Sequence, residues 1–117
     1  ITSSSDGTKL AAGVYGGYIY TSTDSGANWT QRTAPGIRNW YSITSSSDGT
    51  KLAAVVYGGY IYTSTDSGAS WTERQPTVGT TRLWYSITSS SDGTKLAAVH
   101  YGGYIYTGAR VLTRSSN

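Results

Sequence analysis

The residues of this 117-residue chain that could do chemistry are eleven tyrosines, six arginines, five aspartates, one glutamate and one histidine, with no cysteine among them. Thiolate and disulfide chemistry are therefore excluded. Glu73 paired with a tyrosine would have the makings of a nucleophile and base, but a single glutamate between Thr72 and Arg74 reads first as a solvated surface charge. His100 alone cannot supply the three or four ligands of a metal site within one chain. Asp6-Gly7, Asp48-Gly49 and Asp92-Gly93 read as turns, because the further oxygens of a calcium loop are missing beside them. No catalytic residue, metal or cofactor is assigned. What remains is recognition: Arg38, Trp40 and Tyr41, and again Arg82, Trp84 and Tyr85, set a cation and two aromatic rings beside variable segments, and these six are the candidate ligand-binding residues. Rings at equivalent points, next to hydroxyl and amide side chains, would stack on sugars and gain avidity from several equal weak pockets. Tyr18, Tyr20, Tyr60, Tyr62, Tyr104 and Tyr106, spaced two apart, read instead as packing between repeats. Asn28-Trp29-Thr30 is a glycosylation sequon that matters only in a eukaryotic secretory host.

The elements that position these residues come from repetition. Residues Ile43 to Thr72 match Ile1 to Thr30 at 28 of 30 positions, differing at Gly13/Val55 and Asn28/Ser70, and match Ile87 to Thr107 at 20 of 21, where His100 replaces Val56. Within a unit the apolar pattern has period two and turn signals recur every eight to twelve residues, which argues for short antiparallel strands and no helix. In the second unit the strands are expected at 40–47, 52–57, 60–64 and 70–75, with Asp48-Gly49 and Gly58-Gly59 as tight turns. Leu52 to Tyr57 is apolar on both faces, so both faces must be buried. Four antiparallel strands repeated head to tail are the plan of a β-propeller blade. The expected fold is all-β, with blades at 1–39, 40–83 and 84–117; a β-sandwich is the runner-up. The spacers Gln31–Asn39 and Glu73–Leu83 carry Pro35-Gly36 and Pro76 and read as loops.

The formal charge of +3 is dispersed without a basic stripe, which argues against nucleic-acid binding. The longest apolar run, Leu52 to Tyr57, is far short of a membrane-spanning helix, and no apolar signal core opens the chain. Starting at Ile1 without the Trp-Tyr-Ser that precedes the other copies, the chain looks processed, excised or engineered at its start.

Ser22-Thr23-Asp24-Ser25-Gly26-Ala27-Asn28-Trp29 and Ser64-Thr65-Asp66-Ser67-Gly68-Ala69-Ser70-Trp71 both read S-x-D-x-G-x-x-W. The residue types suit a stapled hairpin, in which the aspartate accepts backbone N–H groups, the glycine takes an angle other residues avoid and the tryptophan covers the turn. On these two motifs the chain resembles the Asp-box, or bacterial neuraminidase repeat, propellers, a grouping of sialidases, some bacterial lectins, xyloglucanase-type hydrolases, sortilin-like receptors and photosystem II assembly factors. The resemblance implies structural roles for Ser22, Asp24, Gly26, Trp29, Ser64, Asp66, Gly68 and Trp71 on the outer hairpin, away from the binding face. It also favours secretion, although the compartment stays unknown. Sialidases of this grouping use an arginine cluster, a tyrosine nucleophile helped by glutamate and an acidic aspartate, and no motif here places such a set. The third unit lacks the box: Gly108-Ala109 suits a two-residue hairpin, followed by a short fourth strand at 110–113.

Three blades are fewer than the roughly four to eight that close a ring. The expected partner is the chain itself, a dimer giving six blades first and a trimer giving nine second. Completion within a longer array, by recent amplification or by symmetric design, is the alternative origin. The expected function is a non-enzymatic, self-assembling propeller scaffold; a multivalent carbohydrate-binding lectin using inter-blade loops is the alternative, and a fragment of a sialidase-like glycoside hydrolase the third reading.

Overall fold

A computed structural model describes residues 1–115; of the third expected blade, residues 116 and 117 lie outside the described part. All regular elements among the described residues are strands. The first sheet takes β1 (Thr2–Ser3), β2 (Leu10–Gly13), β4 (Ile19–Ser22) and β5 (Thr30–Arg32), with β3 (Tyr15–Gly17) at the tip of the β2–β4 hairpin. The second takes β6 (Arg38–Ser45), β7 (Leu52–Gly59), β8 (Ile61–Ser64) and β9 (Thr72–Arg74), and the third β10 (Arg82–Ser89), β11 (Leu96–His100), β12 (Ile105–Gly108) and β13 (Leu112–Arg114). Each is an antiparallel four-stranded blade in chain order. The three sheets follow one another as an open arc, each packed face to face on the next.

Alanines and β-branched residues on one face of a blade are covered by large side chains of the next. Ala11 and Ile19 of the first blade pack with Trp40, Ile43, Leu52, Ala54, Val56 and Tyr62 of the second. The joint then repeats: Ala53, Val55 and Ile61 pack with Trp84, Ile87, Leu96, Ala98, Tyr106 and Leu112 of the third. Trp40 meets Tyr62 edge to face at 5.2 Å, and Trp84 meets Tyr106 likewise at 5.1 Å, a favoured arrangement for ring quadrupoles. This is why Leu52–Val56 is apolar on both sides: β7 is the strand with a blade on each face.

Four sequence expectations need correcting. Strands β6 and β10 start at Arg38 and Arg82, two residues before the expected blade boundaries, because the preceding blade's hairpin pairs with them, Gly17 with Arg38 and Tyr15 with Asn39, then Gly59 with Arg82 and Tyr57 with Leu83. That pairing also carries β7 through Gly59; in the Tyr57-Gly58 corner only Gly58 takes a positive φ, 81°. The Asp48-Gly49 turn is a longer loop closed by Ser46 N–H on Lys51 O at 2.8 Å, with Gly49 alone at positive φ. In the third blade Gly108 pairs with Leu112, so the hairpin loop is Ala109–Val111 and the fourth strand is β13, not 110–113.

Because Trp40 is fully buried between two blades, Trp40→Ala is expected to lower the unfolding free energy by about 3–5 kcal/mol, a large share of the total for a domain of this size. Chemical denaturation monitored by circular dichroism measures it, and a loss below 1 kcal/mol would contradict this packing.

Candidate functional site

The two ends of the arc have different chemistry. At one end lie the turns between the first and second strands and the S-x-D-x-G-x-x-W loops, joined within each blade by Ser25 N–H on Thr8 O and Ser67 N–H on Thr50 O, both 2.9 Å. Antiparallel topology then puts the β2–β4 and β7–β8 hairpins, the spacers and the start of β6 and β10 at the other end. All six candidate ligand residues belong to that second end.

The box loops are built as their residue types suggest. Asp24 Oδ1 accepts from Asn28 N–H at 2.8 Å, Asp66 Oδ1 from Ser70 N–H at 2.9 Å, and each first serine donates to its aspartate at 2.8 Å. Gly26 and Gly68 both take φ of 92°, and Trp71 Nε1 donates to Gly68 O at 2.8 Å. Ser25 and Ser67 also take φ of 60°, a strained angle that the surrounding hydrogen bonds hold. With both oxygens of Asp24 and of Asp66 accepting bonds from their own loops, these carboxylates are occupied in structure.

At the opposite end the register carries the information. Trp40 pairs with Val56 while Ser42 pairs with Val55, and Trp84 pairs with His100 while Ser86 pairs with Val99. Tyr41 and Tyr85 are therefore the extra residues of β-bulges, which break the in–out alternation and re-aim a side chain. The strands that carry them are neighbours on the inner rim, where Ile87 N–H approaches Ser42 Oγ at 3.4 Å. The tyrosine rings gather about Tyr41: Tyr15 lies at 6.2 Å from it, Tyr57 at 5.3 Å and Tyr85 at 5.1 Å. Tyr41 is 46% and Tyr85 50% exposed despite these contacts. The phenol of Tyr85 beside it, then burial, raises the pKa of Tyr41, which keeps that phenol uncharged. The rings offer C–H-stacking faces and hydroxyls. Tyr15 and Tyr57 were not among the candidates from sequence; their place at the tips of hairpins that pair with the next blade was the missing signal.

The other candidates fall elsewhere. Trp40 and Trp84 are buried between blades, so their faces are not open to a ligand. Arg38 donates through Nε to Pro35 O at 2.8 Å and lies over the Tyr62 ring at 4.9 Å, at the side of a cleft of about 400 Å³ shared with Asn39, Tyr57, Tyr60 and Glu73. Arg82 lies over Tyr106 at 5.8 Å. The longer second spacer does not reproduce the contacts of the first: Trp40 Nε1 donates to Gly36 O at 3.3 Å, while Trp84 Nε1 and Arg82 Nε find no acceptor among the described residues. His100 packs edge-on to Trp84 at 5.4 Å, where Val56 packs in the second blade.

Tyr62 and Glu73 do pair, with the phenol donating to Glu73 Oε1 at 3.2 Å. Burial raises the Tyr62 pKa, with Arg38 opposing and Glu73 adding to the rise, which makes the phenol a poorer nucleophile. Tyr20 donates to Gln31 at the same place in the first blade, at 3.1 Å. A site that accepts amide and carboxylate alike is a cross-strand hydrogen bond of the blade.

No protein-family model matches the chain, and a search of curated protein sequences gives no match. Solved structures do. The chain is similar to YCF48 bound to a D1 peptide over 97% of its own length and 40% of that chain, with a TM-score of 0.79 and 16% identity. It is similar to YCF48 from Cyanidioschyzon merolae over 92% of its length and 32% of that chain (TM-score 0.74, 17% identity), and to the Niastella koreensis GH74 enzyme over 98% and 17% (TM-score 0.74, 23% identity). These are β-propeller proteins, and at such identities what is shared is the fold. The chain spans well under half the length of each.

The carboxylates supply a pH test. The backbone N–H of Thr8 and the hydroxyls of Ser4 and Thr8 hold Asp6 at about 2, and the Ser70 and Ser64 groups hold Asp66 at about 2, while Asp24, Asp48 and Asp92 are lowered by the same kinds of bond. Folded pKa values below the unfolded value mean stability that is complete above about pH 4 and is lost as pH falls toward 2. Carboxyl carbon shifts followed by NMR from pH 5 to 1.5 should show these five groups titrating below the ordinary aspartate value; five ordinary titrations near 3.8 would contradict the stapled loops.

Proposed function

We propose that this chain is a non-enzymatic propeller module that self-associates and serves as a binding scaffold. The observation that carries the reading is the pair of uncovered end faces on an arc whose internal joints are dry and apolar. Val14 and Ile105 are exposed, although Val56 and Ile61, their counterparts in the second blade, are buried. Exposed apolar faces of this kind mark association surfaces, and repeat units that cannot bury their own faces depend on neighbours to do it. A non-enzymatic role is supported by the chemistry of the acids: Glu73 serves a cross-strand bond, and Asp6, Asp24, Asp48, Asp66 and Asp92 all accept bonds inside their own turns. The fold itself is neutral on the point, since the similar propellers include a peptide-bound YCF48 and GH74 enzymes.

The tyrosine cluster favours a second reading, carbohydrate binding. A cluster of four rings carrying hydroxyls suits the apolar face and hydroxyl edge of a sugar, and the bulges that expose Tyr41 and Tyr85 have no evident role in packing the blades. The sialidase-like fragment is the least supported reading, because Arg38 and Arg82 lie over separate tyrosines of different blades, without a shared anion site.

Native mass spectrometry across a dilution series tests the first reading. Two chains, giving six blades, are expected as the main species and three chains as the next; a soluble monomer at every concentration would overturn it. For the second, a glycan array probed with the parent chain and with Tyr41→Ala should show binding that falls at least tenfold in the variant. Binding unaffected by Tyr41→Ala, or no glycan bound at all, would remove it.

A further inference from the structure

We infer that the two open ends of the arc are the two halves of the joint already made twice inside it, so that a second copy docks head to tail, third blade against first. The inference rests on the self-association proposed above and adds its polarity.

Four independent features of the internal joint recur, and each is left half-made at the ends. The first is a backbone bond between successive turns: Ser5 N–H donates to Ser47 O at 2.7 Å, and Ser47 N–H to Ser91 O at 2.6 Å. This series leaves the Ser91 N–H and the Ser5 carbonyl without partners among the described residues, a donor at one end and an acceptor at the other. Next comes a lysine stem laid over the neighbouring turn glycine. Lys9 covers Gly49, and Lys51 covers Gly93 while its Nζ donates to Asp92 O at 3.1 Å. Lys95 is exposed, and nothing lies within 4 Å of where a Cβ of Gly7 would be.

The third feature is the apolar knob. Ile19 and Ile61 are 0% exposed, inserted against the following blade, whereas Ile105 is 50% exposed and Ala97 and Val99 lie beside it only partly covered. The fourth is the socket that receives it. Ile43 and Ile87 are buried, but Ile1 at the same place is 82% exposed, and Leu10, Ala12 and Tyr20 are only partly covered where Leu52, Ala54 and Tyr62 are buried.

Knob and socket, donor and acceptor, and lysine and glycine all sit on opposite ends of the chain, in the order in which the internal joints use them. A contact of like ends, third blade on third blade, would set Ser91 N–H against Ser91 N–H and leave both lysine–glycine pairs unmade. A third-to-first contact satisfies all four and closes into a ring, two-fold symmetric when two chains suffice, if the rotation between chains permits.

Cysteine trapping reads the polarity directly, since the chain has no cysteine of its own. Ser5 and Ser91 are exposed, and the 2.7 Å backbone contact at the internal equivalent puts cysteines there within disulfide reach. Mixing Ser5→Cys chains with Ser91→Cys chains under mild oxidation should give a cross-linked pair at least tenfold more abundant than either variant gives alone. Like-to-like cross-links from chains that remain multimeric would overturn the head-to-tail joint while leaving self-association standing. A monomer at all concentrations would overturn both. As an independent arm, Ile105→Asp alters a side chain that is exposed in the single chain, so it should keep the parent circular dichroism spectrum yet lose the multimer; a multimer of undiminished stability in that variant would also overturn the proposal.

Discussion

The structure depends on one contact, the seating of alanine, valine and isoleucine from one blade beneath the tryptophan, leucine and tyrosine of the next. A single blade of about forty residues cannot enclose a core, because both faces of its central strand are apolar. Stacking solves this by giving each face to a neighbour. Ala53 and Ala54 show the economy of it: adjacent residues on β7, pointing to opposite sides, both buried and each in a different apolar cluster. Small side chains there let the sheets approach, and the rings of Trp40, Tyr62, Trp84 and Tyr106 fill the wedge that opens between them.

The hydrogen-bonded loops follow from that packing. Where blades converge, backbone groups come into reach of each other, and the turn-to-turn bonds of Ser5, Ser47 and Ser91 form at one end while hairpin tips pair with the next first strand at the other. Aspartates then satisfy the remaining N–H groups of each turn, which is why they occur at fixed places in the repeat and why their acidity is raised.

The open tyrosine rings lie on the inner rim. A regular strand would have sent Tyr41 and Tyr85 to a blade face, into the joint. The bulges take them out of the alternation, and the hairpin tyrosines of the adjoining blades complete a cluster that no single repeat contains. Its members come from two or three blades at once, so any ligand of this cluster also reports on the integrity of the arc.

From the sequence alone, near-identity at a fixed period, strict alternation and the two S-x-D-x-G-x-x-W motifs determined the all-β blade plan, the number of blades and the hydrogen-bonding of the aspartate loops, because those are local properties that each repeat carries within itself. Arg38, Trp40, Tyr41, Arg82, Trp84 and Tyr85 were legible as a group but not as individuals, since sequence shows that an aromatic residue is present without showing which face it takes. Only the tertiary structure decided that Trp40 and Trp84 are core and that Tyr41 and Tyr85 are open, because a one-residue bulge inverts the alternation on which sequence reading rests. It alone joined Tyr15 and Tyr57 to them, and it alone distinguished covered faces from uncovered ones: Ile61 and Ile105 are the same residue in the same repeat, and only the presence of a following blade separates them.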